Sequence, residues 1–180
     1  SSAANINQRP ISVTANPLSK IYGDADPTKT FVVGGGGLVG GDTFSGSLSR
    51  VVGESVAGGP YSITQGTLAV GNNYALTYFP ADLSITPASL LIAANGQSRV
   101  YGDVNPALSF AASGFRFNDG IGSVLSGELA SSATVTTDVG SYPITRGSLV
   151  ANSNYRLSFT DNALQISARP LTVSFAPQSK

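Results

Sequence analysis

The side chains best suited to chemistry in this sequence carry oxygen atoms and stand in two copies of one motif. Tyr22-Gly23-Asp24-Ala25-Asp26-Pro27 returns about 80 residues later as Tyr101-Gly102-Asp103-Val104-Asn105-Pro106. Calcium prefers carboxylate and amide oxygens, so the candidate ligands of a hard cation are Asp24, Asp26, Asp103 and Asn105. Each loop offers fewer oxygens than the usual number, roughly six to eight. We therefore favour a tight turn, in which the glycine supplies an unusual backbone angle.

The motif belongs to a repeat that covers nearly the whole chain. Residues 61–68 return about 80 positions later as residues 142–149, and residues 169–173 resemble residues 9–13. This period predicts two tandem modules, residues 10–88 and 89–168, and the start of a third repeat at residues 169–180. The short joint, which contains Pro87, predicts an extended rod whose partners are neighbouring repeats of the same chain.

Alternation of apolar and polar residues with a period of two predicts an all-β fold. First strands are expected at residues 11–15, 90–94 and 171–175, and further strands at 30–33, 44–52, 60–68, 107–112, 124–130 and 141–149. Closing hairpins are expected where residues 74–78 and 83–85, or 155–159 and 164–166, flank a turn. Each module is then an immunoglobulin-like sandwich or, because residues 119–125 could form a helical turn, a β-grasp-like sheet.

Composition argues against most catalytic and nucleic-acid-binding classes. The chain has no Cys and no His, so it cannot form Ser-His or Cys-His nucleophile pairs, and we expect no enzyme activity. The formal net charge is zero and 11% of residues are charged, which does not fit a nucleic-acid binder or a polybasic membrane anchor. Nor does any apolar run predict a membrane-spanning segment. No cofactor is expected apart from the calcium considered above.

Paired tyrosines leave two interpretations open. Tyr22 pairs with Tyr101, Tyr61 with Tyr142 and Tyr74 with Tyr155 when the repeats are aligned. Exposed rings would form a stripe that binds a glycan of the host or of a biofilm. Because Tyr74 and Tyr155 follow a loop and open a strand, we favour buried rings whose hydroxyls pin a corner of the chain.

The pattern resembles modules of about 80 residues known as MBG domains of the YGX or YDG type. The matching positions are Tyr22-Gly23-Asp24 and Tyr101-Gly102-Asp103, the run at residues 140–149 with its counterpart at 61–68, and Asn73-Tyr74 with Asn154-Tyr155. Such modules occur in very large bacterial surface and secreted proteins, including filamentous-haemagglutinin-like adhesins. The resemblance implies an extracellular stalk repeat that holds a distal binding region away from the cell, with no catalytic residues. A module that itself binds carbohydrate or matrix polymers is the alternative.

Overall fold

The computed structural model describes residues 6–175, and the chain divides into two compact units, Ser1–Ala88 and Ser89–Lys180. Nearly all regular structure in both units is β-strand, as the sequence predicts. Within the described residues, no helix has the length and apolar character needed to cross a membrane.

The part of the first unit that the structure describes, from residue 6 onward, contains seven strands in two sheets. They are β1 (Arg9–Ala15), β2 (Leu18–Ile21), β3 (Phe31–Gly35), β4 (Ser49–Arg50), β5 (Tyr61–Thr64), β6 (Tyr74–Phe79) and β7 (Ala81–Thr86). One sheet has the order β3-β1-β6 and the other β2-β7-β5-β4. β1 runs parallel to β6 and β2 parallel to β7, while the other pairs are antiparallel. Both sheets contribute fully buried side chains, among them Val13 of β1 and Ile63 of β5.

The second unit repeats this plan. Its elements are β8 (Ala88–Ala94), β9 (Gln97–Val100), β10 (Phe110–Ser113), α1 (Ile121–Val124), β11 (Leu125–Ser126), β12 (Ala130–Ser131), β13 (Gly140–Thr145), β14 (Val150–Ala151), β15 (Tyr155–Thr160) and β16 (Asn162–Ser167). The sheets have the orders β10-β8-β15 and β12-β13-β16-β9, and β11 pairs with β14. Ala94 of the first sheet shares one core cluster with Ile144, Leu164 and Ile166 of the second. The two sheets therefore pack as a sandwich.

The two predicted closing hairpins are wrong. β6 and β7 are separated by Pro80 alone, and β15 and β16 by Asp161 alone. β6 does not pair with β7, and β15 does not pair with β16. In both cases the two successive strands lie in different sheets. A two-residue hairpin needs a turn residue with positive φ, and none of the residues in β6, β7, β15, β16 or their connections has one. The chain therefore continues forward from one sheet into the other.

Two further differences concern two short strands and the segment at residues 171–175, whereas the predicted helical turn is confirmed. β2 and β9, which precede the two Tyr-Gly-Asp turns, are strands that the sequence pattern does not predict. Residues 171–175, predicted as a first strand, are exposed and form no strand. The helical turn predicted at residues 119–125 is present as the four residues of α1.

Candidate functional site: the Tyr-Gly-Asp loops and their buried cations

Each Tyr-Gly-Asp motif forms a tight turn at the end of a short strand. The Asp24 N–H donates to the Ile21 oxygen at 3.0 Å, and the Asp103 N–H donates to the Val100 oxygen at 3.1 Å. The central glycines, Gly23 and Gly102, have φ of 88° and 87°, which an L residue rarely adopts. The glycine thus has the role that the sequence suggests.

In the first repeat the loop wraps around the ammonium group of Lys20. This side chain is buried. Its Nζ lies 3.1 Å from the backbone carbonyl oxygen of Asp24, 2.9 Å from Asp26 Oδ1 and 2.5 Å from Glu54 Oε2. Arg50 completes the network: its Nε donates to Asp26 Oδ2 at 2.6 Å, and its Nη2 pairs with Glu54. Two cations and two carboxylates thereby join β2, β4 and the loops that follow them.

The network shifts the pKa of each of its members in the direction that keeps it charged. Burial lowers the pKa of the Lys20 ammonium, but its hydrogen bonds with Glu54 and Asp26 outweigh burial and raise the pKa above its usual value. The hydrogen bond from Arg50, followed by the one from Lys20, holds the pKa of Asp26 far below its usual range. Lys20 likewise lowers the pKa of Glu54. The carboxylates and the ammonium therefore remain ionised over a wide pH range.

The second repeat builds the same loop around Arg99, with neutral partners. The Arg99 guanidinium is buried, and its Nε donates to Asn105 Oδ1 at 2.7 Å. Its other nitrogens donate to the backbone oxygens of Val100 and Thr134. Asn105 in turn donates to the Ala133 oxygen at 2.6 Å. Both repeats thus place a buried cation at the centre of the loop, but only the first surrounds it with carboxylates.

Protein cations already occupy most of the candidate calcium ligands. Asp26 bonds to Lys20 and Arg50, Asn105 bonds to Arg99, and Asp103 pairs with Arg169. Within residues 6–175, no three His, Cys, Asp or Glu side chains form a group that could hold a metal ion. Calcium binding to either loop would require the ion to displace these cations.

Most of the paired tyrosines are buried. Tyr22, Tyr61, Tyr74 and Tyr155 are between 5% and 7% exposed, whereas Tyr101 is 40% exposed. These positions therefore do not form a continuous stripe of exposed tyrosine rings.

Tyr74 and Tyr155 each pin a loop. The Tyr74 hydroxyl donates to Asp42 at 2.7 Å and accepts from the Val39 N–H at 2.9 Å. The Tyr155 hydroxyl donates to Asp119 at 2.6 Å and accepts from the Arg116 N–H at 2.8 Å. Asp119 accepts the Tyr155 hydroxyl, and the next residue, Gly120, is the N-cap of α1.

A family model for the MBG domain of the YGX type matches residues 11–84 and again residues 90–165. The chain belongs to the MBG domain family. Its two units are MBG repeats in tandem, and the Tyr-Gly-Asp loop of each MBG repeat encloses its own cation. No curated protein and no solved structure matches the chain.

The enclosed cation of each MBG repeat acts as a structural cross-link. Lys20 and Asp26 are close enough to condense to an amide, but that reaction needs an uncharged amine and a protonated carboxyl group. The network favours the opposite protonation state of both groups. An ion pair is therefore the chemistry that this arrangement supports.

Sequence reasoning missed the cross-link, although a signal for it exists. Lys20 and Arg99 occupy the same position in the two MBG repeats, and each is followed six residues later by an acceptor, Asp26 or Asn105. A cation and an acceptor kept at one spacing in both repeats indicate a contact between them. The alternation pattern instead suggests that both cations lie in solvent.

Proposed function

We propose that the two MBG repeats are structural spacers of a large bacterial extracellular adhesin that project a distal binding region from the cell surface. The observation that carries this proposal is the use of the family's most specific motif. In both repeats the Tyr-Gly-Asp loop closes around a cation of its own repeat, so its polar groups serve the fold. A motif whose polar groups stabilise their own repeat is expected in a structural spacer.

The cavity beside the second loop supports the same interpretation. It has a volume of about 430 Å³ and is open to solvent. It is lined by Ser98, Arg99, Val100, Asp103, Val104, Asn105, Pro106 and Ser167. This lining has no aromatic ring, and Arg99 already donates to other groups of the protein. The cavity therefore lacks features expected of a developed ligand site.

The joint between the repeats gives the proposal its test. β7 ends at Thr86 and β8 begins at Ala88, so Pro87 alone connects them. A stiff spacer should have a radius of gyration clearly above the 16 Å or so that a compact chain of this length would have. Small-angle scattering measures this radius on the chain itself.

A matched variant with eight glycine and serine residues inserted after Pro87 provides the control, because such linkers are flexible. We expect the variant to show a broader distribution of interatomic distances than the natural chain. A radius near the compact value, or identical distributions for the two proteins, would argue against the spacer. It would favour a module that binds carbohydrate or matrix polymers directly.

A further inference from the structure

The Asp103 carboxylate, in the second Tyr-Gly-Asp loop, binds an arginine that lies beyond the last strand of its repeat. Arg99, the cation that the loop encloses, donates to Asn105 and to backbone oxygens. Asp103 pairs instead with Nη2 of Arg169, and Nε of the same guanidinium donates to the backbone carbonyl oxygen of Tyr101 at 2.8 Å. The loop therefore binds two cations, one inside the repeat and one in the segment that leaves it.

Arg169 stands at the position where a repeat opens. β16 ends at Ser167, and residues 169–173 resemble residues 9–13, with which β1 begins. The apolar side chains of this segment are exposed, whereas their counterparts in β1 are buried: Leu171, Val173 and Phe175 against Ile11, Val13 and Ala15. β1 lies between β3 and β6 of its own repeat. The segment therefore has the pattern of a first strand, and the partner that fits it is an MBG repeat.

The first repeat has the same exit without the arginine. Its Tyr22 N–H donates to the Thr86 oxygen at 2.8 Å. In the second repeat the Tyr101 N–H donates to the Ser167 oxygen at 2.9 Å. Two residues after each of these acceptors, the first repeat has Ala88 and the second has the arginine. Because alanine has no side-chain donor, the arginine contact distinguishes one joint from the other and is not required by the fold.

We propose that Tyr101 and Asp103 form a docking site for the MBG repeat that follows, and that they hold the arginine with which that repeat opens. Exposed ion pairs add little to stability, and the side chains of Arg169 and Asp103 are 53% and 50% exposed. A guanidinium bound through two nitrogens has, however, a defined orientation. Joined domains move relative to each other unless a contact restrains them. The site therefore fixes the direction in which the next repeat leaves, a role that rests on the spacer proposal for its purpose.

The first test is NMR relaxation of the full chain. The Arg169 amide should have an order parameter near the rigid value of about 0.85, and it should fall below about 0.6 in Asp103→Ala. Asp161→Asn, which changes an exposed carboxylate of the same repeat, is the matched control and should leave the order parameter unchanged. The melting temperature should be the same in all three proteins, because the contact orients the segment and does not support the core.

The second test supplies a complete following repeat. Residues 1–170 are continued by a second copy of residues 11–88, so that Arg169-Pro170 opens this copy as Arg9-Pro10 opens the first repeat. The copy also carries Gly36 and Gly37, whose oxygens accept from Arg9 in the first repeat. Arg169 is thus offered both kinds of acceptor.

The chain has no Cys, so spin labels can be attached to single cysteines placed at Ser126 and at Ser49 of the appended copy. We expect one narrow distribution of distances between the labels. The distribution should widen in Asp103→Ala and in Arg169→Ala, which gives this joint the residue found at Ala88, and it should not widen in Asp161→Asn.

Three outcomes would overturn the proposal. They are equal order parameters for the Arg169 amide in the natural chain and in Asp103→Ala, equal distance distributions in the extended chain with and without Asp103, and transfer of the arginine to the appended glycines. A compact radius of gyration combined with an ordered Arg169 would instead reject the spacer and leave the docking site standing. A mobile Arg169 in an extended chain would reject the docking site alone.

Discussion

The ammonium of Lys20 lies 2.9 Å from Oδ1 of Asp26, six residues further along the chain. In the second repeat Arg99 and Asn105 hold the same relation, with Nε 2.7 Å from Oδ1. One acceptor is charged and the other is neutral, yet both turns close in the same way. A cation at the centre is therefore the shared requirement of the loop, and the two repeats form a matched pair for measuring what the carboxylates add.

Replacing Lys20 with methionine should destabilise the first repeat by about 2–3 kcal/mol, because the Asp24 carbonyl and the Asp26 and Glu54 carboxylates lose their shared donor. Urea unfolding, followed through the amide signal of the fully buried Ile63, measures this loss. Ile144 reports the second repeat in the same sample and should be unchanged.

Two variants control this experiment. Lys29 lies 3.5 Å from Asp26 and is less buried than Lys20, so Lys29→Met should cost no more than about 0.5 kcal/mol. Lys20→Arg should cost less than Lys20→Met, since Arg99 fills the matching position. Equal losses in Lys20→Met and Lys29→Met would show that the buried ammonium does not hold the loop.

Calcium should leave the melting temperature of the chain unchanged. The oxygens of Asp26 and Asn105 already accept from Lys20, Arg50 and Arg99, so binding would first break those contacts. Melting curves in millimolar calcium and in chelator test this, with magnesium as the control. Calcium at a hundredfold excess over its dissociation constant would add about 2.7 kcal/mol to stability. A calcium-specific rise of that size would contradict this prediction and support a calcium site at Asp24, Asp26, Asp103 and Asn105.

The period-two pattern predicted the strands well where each buries one apolar face. β1 and β8 show this, since Ile11, Val13 and Leu90 are buried. β2 and β9 were missed because the buried position in each is a cation, Lys20 or Arg99, which the pattern scores as exposed. A strand whose buried residue is charged can be predicted from sequence only when the partner of that charge is known.

The hairpins failed for a different reason. Proline and asparagine near a strand end are common in turns, and they suggested a reversal at Pro80 and at Asp161-Asn162. The strands instead pass between sheets, and β7 pairs with β2, which lies more than sixty residues earlier. Local turn chemistry cannot reveal that pairing, because the competing partner is distant in the sequence.

The tyrosine pins should each stabilise their own repeat, because each hydroxyl satisfies both an aspartate and a backbone N–H. Tyr74→Phe should lower the urea midpoint reported by Ile63, and Tyr155→Phe the midpoint reported by Ile144. Tyr101→Phe is the control, since that ring is 40% exposed, and it should change stability by less than about 0.5 kcal/mol. If the two buried variants match the control, the hydroxyls do not pin the loops.

Acid should destabilise the first repeat more than the second. The folded-state pKa of Asp26 is lowered, first by Arg50 and then by Lys20, and that of Glu54 is lowered by Lys20. Groups with a lowered folded pKa contribute fully above their unfolded values, 3.8 and 4.5, and the contribution is lost as the pH falls through the folded pKa. Lys20 has a raised pKa, so its contribution is complete at acid pH and is lost only as the pH rises above its usual 10.5.

The corresponding contacts in the second repeat, between Arg99, Asn105 and backbone oxygens, contain no group that titrates in acid. Between about pH 7 and pH 2, the urea midpoint reported by Ile63 should therefore fall further than the one reported by Ile144. The double variant Asp26→Asn, Glu54→Gln removes both titrating groups and should bring the two pH dependences together. Parallel losses in the natural chain would mean that carboxylates outside the network control acid stability, because the network is the main charge difference between the two loops.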